Sequence, residues 1–141
     1  MTTDAELIEI ARSIVNPKVI SPSATAGSVG SALVTGSGAI YKGVCVDTHC
    51  SLGFCAEHNA IGSMVTEGET HIKTIVALHK RGNIISPCGR CREFIYQIDV
   101  KNAETRVILG EDRVVSLREL LPEHWIDTAR VDTDSKIDTA E

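Results

Sequence analysis

The chain has 141 residues, 43% hydrophobic and 23% charged, which suits a single soluble domain with one core. Its formal net charge of -5 argues against a polynucleotide partner, whose phosphates favour a basic surface, and leaves a small neutral or cationic substrate. Aromatic residues make up only 4%, so the core is expected to be aliphatic, and no apolar run reaches the length of a membrane span.

Residues 4–15 place Leu7, Ile8, Ala11 and Val15 near helical spacing, with Asp4 able to cap, and predict an amphipathic helix. Residues 16–27, rich in Pro, Ser, Ala and Gly, read as a loop. Val29 to Thr35 and Ala39 to Val46 are strand-like runs around Gly36-Ser37-Gly38, a hairpin signal. Residues 47–54 read as a loop, and a helix is expected from Cys55 to Thr66, ending near Gly68. Ile72 to Leu78 reads as a strand and Lys80 to Asn83 as a turn. A second helix is expected to begin at Pro87 or Cys88 and run to Ile98, since proline suits a first helical turn. Thr105 to Leu109 and Arg113 to Ser116 are strand candidates, and Leu117 to Leu121 is a short helix. This order predicts an α/β domain over residues 1–125, with helices packed on a sheet. Residues 126–141 are rich in Asp and Thr and read as a mobile or loosely docked acidic tail, or as a helix docked in an oligomer.

Chemistry concentrates in two segments, Cys55-Ala56-Glu57 and Pro87-Cys88-Gly89-Arg90-Cys91. The N-terminus, Met1 to Glu6, lacks the basic and apolar regions of a signal peptide. The five cysteines are therefore expected to be reduced thiols in the cytoplasm, where a Cys-x-x-Cys pair binds metal or catalyses more often than it cross-links. Both segments open predicted helices, where the dipole favours thiolate. Cys88 and Cys91 share a helix face, and Cys55 supplies a third thiol from the other helix. Three ligands leave zinc an open position for water, as in catalytic sites. Glu57, two positions after Cys55, is turned from the ligands but stays in the first turn, where it can face that water. Other readings of these thiols are a redox pair, a closed structural zinc that recruits Cys45 or Cys50, and buried cysteines acting as small hydrophobes.

Together, Cys55-Ala56-Glu57 and Pro87-Cys88-Gly89-Arg90-Cys91-Arg92 resemble the signature of the cytidine deaminase superfamily. The resemblance extends to Val29-Gly30-Ser31-Ala32-Leu33, to Gly38-Ala39-Ile40-Tyr41-Lys42-Gly43, and to Leu120-Leu121-Pro122 followed by Trp125. It implies a three-layer fold, a mixed five-stranded sheet with helices on both faces, assembled as a homotetramer with shared active sites. It implies one zinc ion (Zn2+) held by Cys55, Cys88 and Cys91, and a small-molecule cytosine-type substrate that loses its exocyclic amine by hydrolysis. Glu57 would move the protons, and the Ala56 amide and Pro87 carbonyl would meet the hydroxide and the leaving amine. Arg90, as in blasticidin S deaminases, and His58 would offset the thiolate charge. Cytidine-specific members carry Asn-x-Glu before the first zinc cysteine to hold ribose. Cys45-Val46-Asp47 stands there in this chain, so Cys45 and Asp47 are the candidate sugar contacts. Trp125 would stack on the ring in a neighbouring subunit's pocket. A modified cytosine such as blasticidin S is the alternative substrate, and a zinc-stabilised binding module without turnover is the alternative class.

Overall fold

The computed structural model describes residues 1–129, and its central sheet is apolar on both faces. In chain order the elements are α1 (Asp4–Ile14), β1 (Lys18–Ser21), β2 (Ala24–Thr35), β3 (Ile40–Thr48), α2 (Ala56–Thr66), β4 (Ile72–His79) and β5 (Ile84–Ile85). They continue as α3 (Gly89–Ile98), a 3-10 helix (Val100–Glu104), β6 (Arg106–Gly110), β7 (Arg113–Ser116), α4 (Leu117–Leu120) and α5 (Trp125–Ala129).

Across the sheet the order is β3-β2-β4-β6-β7. These are the five strands expected from the sequence. Two short strands bring the total to seven: β1 pairs with the first residues of β2, and β5 with the last residues of β4. The β4–β6 pair is parallel and the other pairs are antiparallel, so the sheet is mixed.

Strand alternation sorts the side chains into two layers. Ala32, Val34, Val76, Leu78 and Ile108 point to α1, where they meet Leu7, Ile8 and Ala11. Leu33, Ile75 and Val107 point the other way and meet Ala60, Ile61 and Met64 of α2 and Ile95 of α3. The expected single core is therefore two apolar layers separated by the sheet, as in a three-layer α/β fold.

Several local expectations change. Thr3, not Asp4, caps α1: its hydroxyl accepts from the Glu6 N–H, and the Glu6 carboxylate accepts in return from the Thr3 N–H. Residues 16–27, expected as a loop, contain β1 and the start of β2. Val19 and Ile20 of β1 are adjacent and both exposed, so they show no two-residue period, and Ala24 to Ser28 at the start of β2 are all small. The strand β3 continues to Thr48, into the expected 47–54 loop. Residues 126–129, expected in a loose tail, belong to α5, which is tied to α3 by a Tyr96 hydroxyl donating to Asp127 at 2.8 Å. Residues 130–141 of the tail lie outside the described residues.

Asn102 joins three segments. Its side-chain oxygen accepts from the Ile72 N–H at 2.8 Å, and its amide donates to the carbonyls of Thr70 and Ile95 at 2.9 and 3.0 Å. This ties α3 to the start of β4. Gly43 does the same for α2: a Cβ there would sit 2.6 Å from the Ala60 nitrogen. The close approach of β3 and α2 that it permits sets where α2 begins, and hence where Cys55 lies.

Candidate metal centre

Cys55 and Cys88 are the N-cap residues of α2 and α3. Both have extended backbone, and neither side chain caps its helix, so both thiols are free to turn toward each other. The Cys55 and Cys88 sulfurs lie 3.6 Å apart, and those of Cys88 and Cys91 3.5 Å apart. The Nδ1 atom of His58 is 3.3 Å from the Cys91 sulfur, and the donor atoms of Cys55, His58 and Cys91 all lie within 4.8 Å of one another. Of the three cysteines, Cys91 is buried and Cys88 exposed. The expected trio is thus brought together, with His58 beside it. Cys45 and Cys50, the possible fourth ligands, lie elsewhere: Cys45 contacts Ser28 and Asp47, and Cys50 is exposed in the preceding loop.

The donor set fits zinc. Zn–S bonds of about 2.3 Å put the sulfurs of a tetrahedral site about 3.8 Å apart, close to the separations above. Two of the three thiols resist ionisation. Burial pushes the Cys91 thiol up, and the neighbouring Glu57 adds to the shift. Burial and the Cys88 thiol raise that of Cys55. Burial opposes ionisation at Cys88 too, but the N–H groups of Cys91 and Arg90 and the two neighbouring thiols hold it below the usual value. A dication among three such sulfurs would reverse the balance and favour thiolate.

Glu57 is 4% exposed and lines the cleft beside these sulfurs. Burial raises its carboxyl above the usual glutamate range, against a smaller lowering by hydrogen bonds, one of them from Cys91. Ala56, fully buried, is the first residue of α2, where an amide has no acceptor within its own helix, and it too lines the cleft. His58 stacks on Phe94 with ring centroids 4.3 Å apart, and burial and the Arg90 charge lower its basicity. Arg90 is exposed on the cleft rim.

The cleft has a volume of about 420 Å³, within the range of small-molecule sites. Ser28, Cys45, Asp47, Phe54, Ile85 and Ser86 line it together with the cysteine segments. Cys45 is 7% exposed, and Asp47 sits at the exposed end of β3. Pro87 is buried and lines a small adjoining cavity rather than the cleft itself. Its carbonyl accepts from the Arg92 Nε at 2.8 Å. Trp125, 63% exposed, begins α5 and is not on the cleft of its own chain.

Three contributors escaped the sequence reading. Arg92 bonds the Pro87 carbonyl, the Ser86 hydroxyl and the Leu120 carbonyl, bracing the segment before Cys88. Its position directly after Cys91 was the only signal. Phe94 supports His58, and their 36-residue separation in the chain carries no pattern linking them. Ser28 reaches Cys45 only because β2 pairs with β3.

Residues 1–107 match the model of the cytidine and deoxycytidylate deaminase zinc-binding region. A probable cytidine deaminase of Dictyostelium discoideum is 41% identical over 68 residues, 47% of this chain and 46% of that protein. A blasticidin-S deaminase of Bacillus cereus is 37% identical over 76 residues, 48% of this chain and 54% of that protein. The chain thus spans about half the length of the curated relatives it matches. Among solved structures, cytidine deaminase from Burkholderia pseudomallei superposes with a TM-score of 0.71 at 28% identity, covering 88% of this chain and 100% of that one.

Proposed function

The chain belongs to the cytidine and deoxycytidylate deaminase family, and on that footing we propose that it is a zinc-dependent hydrolytic deaminase. Its substrate is cytidine, deoxycytidine or a related cytosine nucleoside, which it converts with water to the uracil product and ammonia. The observation that carries this reading is the buried Glu57 carboxyl beside three converging thiols in an open cleft. A purely structural zinc site has no use for that carboxyl.

Cys55, Cys88 and Cys91 would hold the metal. When bound, zinc supplies Lewis acidity, which lowers the pKa of a coordinated water toward neutrality. Glu57 does the proton work. Its Oε accepts a proton from the attacking water, returns it to the ring nitrogen, and later assists departure of the amine as ammonia. Burial suits it to both steps, because a carboxyl raised toward neutral pH both takes and releases a proton readily. The Ala56 N–H is free to donate to oxygen at the carbon under attack. The Pro87 carbonyl keeps a second lone pair for the leaving amine, beside the one that Arg92 occupies. Arg90 on the cleft rim would offset the negative charge of a metal held by three thiolates, and His58, beside Cys91 Sγ, could add a ring N–H to it.

A homotetramer with shared active sites agrees with the exposed Trp125, Val19, Ile20 and Leu52, and Trp125 would then close a neighbouring subunit's cleft. A cytoplasmic setting agrees with five unpaired cysteines. The likeness to a blasticidin-S deaminase supports a modified cytosine as second reading.

The deciding experiment is an ammonia-release screen on the zinc-loaded protein over cytidine, deoxycytidine, cytosine, methylated cytosines and blasticidin S. Release from a cytosine nucleoside is expected. Release from blasticidin S alone would favour the second reading, and silence across all would favour a non-catalytic zinc module.

A further inference from the structure

Residues 86–88, between β5 and α3, belong to no strand or helix, yet they carry the Pro87 carbonyl and the Cys88 thiol. The proline ring fixes φ at residue 87, so ψ alone is left to swing its carbonyl. Arg92, half-buried and one turn into α3, removes that freedom. Its Nε donates to the Pro87 carbonyl at 2.8 Å, and Nη2 of the same guanidinium donates to Ser86 Oγ at 2.9 Å. Nη1 donates to the Leu120 carbonyl at 3.1 Å, at the end of α4. The Arg92 backbone N–H holds the next carbonyl along, that of Cys88, at 3.0 Å. One planar group thus fastens the segment to the body of the fold, and its fork leaves the Pro87 carbonyl one direction to point. Pro87 is buried and lines the same small cavity as Glu57, so the clamped residue stands close to the group that carries protons.

We propose that Arg92 is a positioning residue for the leaving amine: it occupies one lone pair of the Pro87 carbonyl and fixes the other where an amine N–H donates to it. The inference rests on the deaminase reading above, including the part given there to Pro87. Departure of the amine breaks the C–N bond and takes a proton from Glu57, so the nitrogen must keep its lone pair turned toward that acid. An acceptor on one of its N–H groups does this only if the acceptor itself cannot turn. A carbonyl has two acceptor sites, and a guanidinium fork fixes their direction, whereas an ammonium on a flexible stem does not. As the nitrogen takes up the proton its N–H groups become charged donors, roughly twice as strong as neutral ones. The contact therefore counts most at departure, and its loss falls on turnover rather than on binding of the ring and sugar.

The test is Arg92→Lys in the zinc-loaded, full-length protein, assayed by ammonia release from the cytosine nucleoside that the parent turns over best, with the matching uracil nucleoside as competitive inhibitor. The variant's kcat is expected to fall about tenfold, the worth of one hydrogen bond, while the inhibition constant and the zinc affinity keep the parent's values. The uracil nucleoside fills the cleft without an amine, so a brace that only shapes the cleft or seats Cys88 would move those two values as well. A loss of zinc affinity or of inhibitor binding in step with kcat overturns the inference, and so does an undiminished kcat in a folded variant. Both leave the deaminase reading intact. No ammonia from the parent with any cytosine nucleoside overturns both. Should Arg92→Lys not fold, Ser86→Ala, which removes one acceptor of the fork, is expected to lower kcat in the same sense, and an unchanged kcat there overturns the inference.

Discussion

His58 Nδ1 lies 3.3 Å from Cys91 Sγ, and the imidazole is held there by stacking on Phe94. The sulfur is buried and its ionisation is opposed by its surroundings, so the Nδ1–H tautomer of His58 would ease the charge that metal binding would create. His58→Ala is expected to weaken zinc affinity about 10- to 100-fold, the usual cost of losing an outer-shell partner. Competition with a chromophoric chelator measures it, and wild-type affinity in the variant would show that the contact is only packing.

Glu57→Gln keeps the volume of the side chain and removes its titration. The variant should fold, bind zinc in the same ratio as the parent, and lose about 10²- to 10⁴-fold in kcat, the usual contribution of a positioned acid–base group. Metal analysis and ammonia release on one preparation check both halves. Undiminished turnover would take Glu57 out of the mechanism.

Asn102 is fully buried and makes three hydrogen bonds to backbone groups of two segments, residues 70–72 and α3. Replacement by Ala leaves the Ile72 N–H and two carbonyls without partners in the core. The expected loss is about 2–4 kcal/mol of unfolding free energy, read from the urea midpoint. A loss below about 0.5 kcal/mol would mean that water replaces the amide.

Asp4 and Arg106 form a two-pronged ion pair, both contacts at 2.7 Å, that ties the first turn of α1 to the start of β6. The guanidinium bond holds the Asp4 carboxyl below its ordinary 3.8 despite a little desolvation. A depressed folded value stabilises above the unfolded value and is lost as pH falls through the folded one. Both side chains are more than one-third exposed, so the pair is worth about 0.5–1 kcal/mol. Asp4→Asn should therefore be less stable than the parent at pH 7, and the gap should close as pH falls through the lowered folded value of Asp4. A gap that persists at low pH would mean that the ion pair does not carry the difference.

What the sequence determined alone is local. The paired cysteine segments, helix starts at Cys55 and Cys88, and five strands with Leu33, Ile75 and Val107 in their runs all depend on spacing within about ten residues. That is the range over which helical and strand periods leave a mark on side-chain type. The tertiary structure decided which groups meet. Strand β1 was not foreseen because its two apolar residues, Val19 and Ile20, are adjacent and both exposed, so they carry no two-residue period. The positions of Ser28 beside Cys45, Phe94 beneath His58, and Arg92 across to Leu120 depend on strand pairing and helix packing between segments far apart in the chain. So the thiol cluster, built from two short helix starts, could be read from residue order. The Ser28–Cys45 side of the cleft could not, because it arises from contacts between β2 and β3 that neither strand encodes by itself.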